Sequence, residues 1–243
     1  MSSKLQRLFV KSKLERGAEI VLDKEQAHYL GTVLRLKPNE RILLFNGEDG
    51  EWCTELVAVG RKGVEVHVEH QTRPQEDGPD LHYLFAPLKR ARLDYMAQKA
   101  TELGASALRP VITRHTTAER VKTERLRANA IEAAEQCGIL RVPAVMQPEK
   151  LSKLIDSWDP ARLLIFADES APHASPIGAL KTRPAGPLAV LIGPEGGFER
   201  EERAALLAKS FVLPISLGPR VMRADTAAVA ALALVNAALG DWQ

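Results

Sequence analysis

Cysteine is scarce in this sequence, and so are aromatic rings, net charge and long apolar runs. The two cysteines, Cys53 and Cys137, stand far apart with no CxxC or Cys/His spacing. That argues against a disulfide framework or a zinc site and fits a reducing cytosol. Phe, Trp and Tyr together make up only 5% of residues, so no base-stacking platform stands out. The longest apolar stretch, "TAAVAALALVNAALG" (residues 226–240), is too short and Ala-rich to span a bilayer and reads as a buried helix. The opening "MSSKLQRLFVKSK" lacks the apolar core of a signal peptide. A soluble, cytoplasmic protein with no membrane partner is expected. The histidines show no metal spacing, and no metal is expected.

What is present is ordinary in bulk: 243 residues, 45% hydrophobic and 26% charged, enough for one large domain or two smaller ones. The net charge of +2 is unevenly spread. Residues 1–70 carry eleven basic and eleven acidic side chains, whereas residues 88–127 carry ten against four. This local excess suits either a polyanion footprint or two solvated helix faces, and charge alone leaves both open.

The first seventy residues read as short strands ("RLFV", "EIVL", "RILLFNG", "WCTELVAVG", "GVEVHVEH") around one helix. Asp23 is its expected N-cap, with Ala27, Leu30, Val33 and Leu34 on one face. This predicts a small barrel over residues 1–72. The polar, Pro-containing "QTRPQEDGPD" (residues 71–80) is a linker by composition. Beyond it, over residues 80–243, helices alternate with apolar strands ("LHYLFAP", "ALRPVIT", "RLLIFADE", "PLAVLIG", "FVLPISLG"), the pattern of an α/β domain with a parallel sheet. Leu93, Met96, Ala100 and Leu103 stripe one helix, stopped by Gly104; Leu126, Ala130, Ala133, Ala134 and Cys137 stripe the next. A Pro-rich stretch over residues 170–187 is too long for a simple connection.

In "LIGPEGGFEREERAAL" (residues 191–206) an apolar run ends in a Gly-rich turn before an acidic helix. The turn lacks the GK[ST] step of a phosphate-binding loop, and Glu195 would repel a phosphate. Close main-chain approach to something neutral or cationic is the alternative. "FADES", "GPEGGF" and "LGPRVMRADT" each follow a predicted strand, at the edge where open parallel sheets bind ligands. Asp225 is well placed to cap the Ala-rich helix. Glu199, Glu201 and Glu202 suit the dipole of theirs.

"LIGPEGGF" followed by "LGPRVMRADTA", with "QKATELGA", "EQCGILRVP", "RLFV" and "HYLGTVLRL", closely resembles the SPOUT class of S-adenosylmethionine-dependent RNA methyltransferases. Within that class the chain is similar to the 16S ribosomal RNA (uracil N3)-methyltransferase family. It departs from the family pattern at Met222-Arg223-Ala224-Asp225-Thr226, where Leu-Arg-Thr-Glu-Thr is commoner. The resemblance implies an N-terminal PUA-like barrel, a trefoil-knotted C-terminal domain, a homodimer and 16S ribosomal RNA as partner. It implies S-adenosylmethionine as co-substrate, held by main chain at Gly193, Gly196, Gly197 and Gly218 and flanked by Ile192, Leu217, Val221 and Met222. Arg220 or Arg223 is then expected to steady the uracil anion, and Asp225 or Glu195 to accept its proton, with capping ranked first for Asp225. RNA contacts are expected from Arg7, Arg35, Lys89, Arg90 and Arg92. Two rivals stay open on residues alone: a non-enzymatic RNA-binding protein, and a methyltransferase for another nucleoside. A nucleotide hydrolase is disfavoured by the missing GK[ST] step.

Overall fold

A computed structural model describes residues 5–60, 63–117, 120–172, 175–184 and 186–242. The chain divides into two compact units, residues 1–77 with 134–142, and residues 78–133 with 143–243.

In the first unit all five anticipated strands form: β1 (Arg7–Phe9), β2 (Glu19–Val21), β3 (Arg41–Phe45), β4 (Glu51–Gly60) and β5 (Gly63–Arg73). They make one sheet in the order β1-β3-β4-β5-β2, parallel only between β1 and β3. Period-two alternation decides the inner face: Ile42 and Leu44 of β3 and Val64, Val66 and Val68 of β5 pack with Leu56 and Leu30 in one core. Helix α1 (Lys24–His28) starts where expected, with a capping box between Asp23 and Gln26. It then opens into a π-helical turn over Tyr29–Val33, closed by Leu34 N–H to the Tyr29 carbonyl at 2.9 Å. The wider turn breaks the 3.6-residue stripe. Leu30 is buried, but Val33 and Leu34 are exposed, contrary to the expected face.

The second unit holds β6 (Leu81–Phe85), α2 (Arg90–Glu102), β7 (Ala107–Ile112) and most of α3 (Thr123–Cys137). There follow β8 (Ala144–Val145), β9 (Glu149–Lys150), α4 (Leu151–Asp156), β10 (Leu163–Ala167), α5 (Pro176–Lys181) and β11 (Leu188–Ile192). The chain ends with α6 (Arg200–Leu207), β12 (Val212–Ile215) and α7 (Ala224–Leu239). Every pairing is parallel, in the order β12-β10-β11-β6-β7-β8, with β9 on β7. Strand β11 is buried at all five positions, as a central parallel strand should be. Gly104 ends α2 at φ +77 and Gly138 follows α3 at φ +75, the left-handed residues that stop helices. Cys137 is exposed rather than on the buried stripe of α3. The Pro-rich stretch contains α5, which Ser175 caps by accepting from Gly178 N–H at 3.2 Å, with proline in the first turn. No described helix is long and apolar enough to cross a membrane.

Candidate active site

Strand β10 lies between β11 and β12, so the three loops leaving their carboxyl ends meet at one edge of the sheet. Together they wall a cleft of about 640 Å³, within the usual range for a small-molecule pocket. Ile192, Gly193, Gly197, Leu217, Gly218, Val221 and Met222 all line it, as do Glu195, Arg220 and Arg223.

The turn after β11 is tightly made. Gly197 N–H closes it onto the Pro194 carbonyl at 2.9 Å, and Gly197 adopts φ +69. Gly193 is required for a different reason: a Cβ there would run into Cε2 of Phe198 and lie 3.0 Å from Cδ2. The Phe198 ring cannot easily yield, because it packs edge-on against Phe166 at 5.0 Å. Glu199 then caps α6, with Glu202 completing the capping box.

Gly196, expected at the ligand, is turned to the other side. A Cβ there would touch the His115 side chain at 3.4 Å. His115 Nδ1 lies 3.0 Å from the Gly196 carbonyl and 3.2 Å from that of Gly197, while Nε2 lies 3.2 Å from Glu199 Oε2. All three partners are acceptors, an arrangement that favours the imidazolium over either neutral tautomer. The Gly196 carbonyl, foremost, raises the His115 pKa, and the Gly197 carbonyl and Glu199 add to it.

Two ion pairs went unforeseen. Asp168, buried at the end of β10, takes Arg203 from α6: Nε lies 3.1 Å from both carboxylate oxygens and Nη2 lies 2.9 Å from Oδ2. Both residues line the cleft. The sequence flagged the "FADES" loop, but no spacing ties position 168 to position 203. Arg92, expected to contact RNA, lines the cleft. Its Nη1 pairs with Glu195 Oε1, and its Nε lies 3.9 Å from Asp225 Oδ2. The Glu195 charge is thus balanced within the chain.

Asp225 is not the N-cap. Helix α7 begins at Ala224 with Arg223 in the cap position, and Asp225 Oδ1 accepts the Thr226 N–H at 2.8 Å. Asp225 borders a separate hollow with Tyr95, Thr226, Val229 and Ala230.

Arg7 is the clearest correction among the expected RNA contacts. It is 4% exposed, with Nε on Glu51 Oε2 at 2.6 Å and its other nitrogens on the carbonyls of Ala134, Glu135 and Ile139. Those carbonyls lie at and just beyond the end of α3, where a helix leaves acceptors open. A guanidinium so enclosed cannot reach a phosphate. Arg35 and Lys89 are exposed. Arg90 opens α2, but its side chain lies outside the described residues.

The family described as RNA methyltransferase domain matches residues 75–236, and the RNA methyltransferase PUA domain matches residues 22–69. The Rickettsia conorii protein named ribosomal RNA small subunit methyltransferase E is 31% identical over 96% of both chains. A Legionella pneumophila methyltransferase solved with bound SAM superposes with a TM-score of 0.87 at 30% identity, covering 98% of this chain and 99% of that one. A Neisseria gonorrhoeae ribosomal RNA small subunit methyltransferase E bound to S-adenosyl methionine gives 0.88 at 27% identity, covering 99% and 100%. A glycine-lined cleft at the carboxyl edge of a parallel sheet, and likeness along almost the whole chain, lead to one conclusion: the protein belongs to the ribosomal RNA small subunit methyltransferase E family of RNA methyltransferases.

Proposed function

We propose that this chain transfers a methyl group from S-adenosylmethionine to N3 of a uridine in 16S ribosomal RNA. The observation that carries the reading is the cleft itself, with three loops, main chain laid open at Gly193, Gly197 and Gly218, and apolar Ile192, Leu217 and Met222 beside it. Such a surface fits a flat, uncharged purine better than a phosphate. The donor supplies an electrophilic methyl on a cationic sulfur. Glu195 and Asp168 add carboxylates to the walls, each already paired with an arginine.

Uracil N3 carries a proton, and with a pKa about two units above neutrality its removal costs about 2.7 kcal/mol. Arg220 and Arg223 are exposed at the cleft and, among the described residues, neither side chain has an ion pair or hydrogen bond. A cation held against O2 or O4 of the base lowers that cost. Glu195 takes the proton-accepting role, since Asp225 faces the other hollow. Arg223→Ala is expected to lower single-turnover rate far more than donor affinity. Equal loss of both would remove Arg223 from the chemistry.

Arg35 and Lys89 remain as phosphate contacts, so RNA binding should weaken steeply with salt. The domain division near residues 72–80, the trefoil knot and the homodimer belong to the same reading. The hollow beside Tyr95, with small Thr226 and Ala230, suits a second copy; a monomer in sedimentation would contradict it. Mass spectrometry of 16S ribosomal RNA nucleosides, after incubation with labelled donor, tests the whole. Labelled 3-methyluridine is expected; label in another nucleoside, or none, overturns the assignment.

A further inference from the structure

The register between β4 and β5 slips beside Cys53: Cys53 stands opposite His70, whereas Thr54 stands opposite Val68. Glu69 is the extra residue of a β-bulge. Neighbouring side chains on a regular strand point to opposite faces. A bulge re-aims one of them, and such irregularities recur beside functional sites. Here the Cys53 Sγ, a carboxylate oxygen of Glu69 and a ring nitrogen of His70 all come within 4.8 Å of one another.

We propose that Cys53, Glu69 and His70 form a binding site for a zinc-like divalent cation, separate from the methyl-donor cleft. Thiolate, imidazole and carboxylate together are the donor types that a borderline-soft ion takes. Three protein ligands leave a fourth position, and His70 is exposed, so water reaches it. The donors need only a small inward movement to meet a common ion.

Two features of the metal-free state must change on binding. Cys53 is buried, which keeps its thiol protonated, and Sγ lies 3.6 Å from Glu69 Oε2. On binding the S–H bond breaks, its proton leaves to solvent and a sulfur–metal bond forms, with no change of oxidation state. Arg41 holds Glu69 through Nε–Oε2 at 2.8 Å and Nη2–Oε1 at 2.9 Å. Its side chain is 54% exposed and that of Glu69 22%, so the guanidinium has a path to water but is a real rival for the carboxylate it grips at two points. Arg41 swings into water as the cation arrives, so it competes with the metal for the same carboxylate.

That competition gives the test its sharpest arm. Untagged, metal-free full-length protein is titrated with Co²⁺ and then with competing Zn²⁺. A near-ultraviolet thiolate-to-cobalt charge-transfer band is expected at one equivalent, lost with Cys53→Ala and kept with Cys137→Ser. His70→Ala removes a ligand outright and should weaken binding by more than the roughly 10- to 100-fold that losing an outer-shell partner costs. Because His70 is exposed, that variant should fold and still report on the site if the Cys53 variant does not fold. Arg41→Gln should tighten binding by freeing Glu69. No band, a band that follows Cys137, or an Arg41→Gln variant that binds no more tightly overturns the three-ligand site.

Discussion

Two walls of one cleft are built in opposite ways. The wall from β10 and β11 is braced at several points: Asp168 by Arg203, Glu195 by Arg92, the Gly196 and Gly197 carbonyls by His115, and Gly193 by the Phe198 ring. The wall after β12 is nearly bare. Gly218 N–H donates to Ser216 Oγ at 3.2 Å, and Val221 is 85% exposed between two exposed arginines. In the proposed reaction the braced wall meets a ligand of constant shape, where a preorganised site loses little on binding. The bare wall is left to close once donor and RNA are in place, a disposition suited to loops that move.

The largest way to break this contrast is Gly193→Ala. The added methyl has to displace a ring locked against Phe166, so overpacking is expected to cost about 3 kcal/mol, the upper end for an extra methylene in a filled site. Denaturant unfolding measures the loss, and calorimetry should find donor binding abolished. A variant of native stability and affinity would mean that the wall is soft.

Arg203→Ala removes the partner of a buried carboxylate. Leaving Asp168 short of donors is expected to cost about 2 kcal/mol, less than a fully enclosed pair because Arg203 is 37% exposed. Asp168→Asn added to Arg203→Ala should recover part of it, since an amide carries no charge to strand. If the double variant is no more stable than the single one, charge is not what Arg203 balances.

How much of this was legible beforehand follows the range of each interaction. The five strands of the first unit, the parallel strands of the second and the three ligand-edge loops depend on local alternation and turn chemistry, which a sequence states directly. Arg7 looked like a surface cation because its partners, Glu51 and the carbonyls after Ala133, are distant in sequence. Asp168 and Arg203 were invisible as a pair for the same reason. The slip that gathers Cys53, Glu69 and His70 is a property of two strands together, so cysteine spacing could not announce it. Asp225 missed its cap by two residues, the ordinary uncertainty of a helix boundary.

His115 sharpens the comparison through pH. Its folded pKa is raised, so its brace is complete below about pH 6.5 and is lost as pH climbs through the higher folded value. Glu199 faces it directly; Glu202 is engaged by the Arg114 N–H, and Glu169 flanks Gly197. Donor affinity should fall with rising pH in the wild type and stay flat in His115→Ala. Parallel slopes would show that some other group titrates.

The smallest effect belongs to the bare wall. Val221→Ser touches a side chain that is 85% exposed, so stability should change by no more than about 0.5 kcal/mol. Affinity is a different matter if this loop folds over the donor. Burying a valine side chain is worth about 1.5 kcal/mol at the low end, which corresponds to donor binding about tenfold weaker in the serine variant. Unfolding curves that superimpose, with calorimetry that separates the two proteins, would mark Val221 as a group that becomes enclosed only on binding. If affinity is unchanged as well, the loop stays open in the complex, and its looseness has no part in holding the donor.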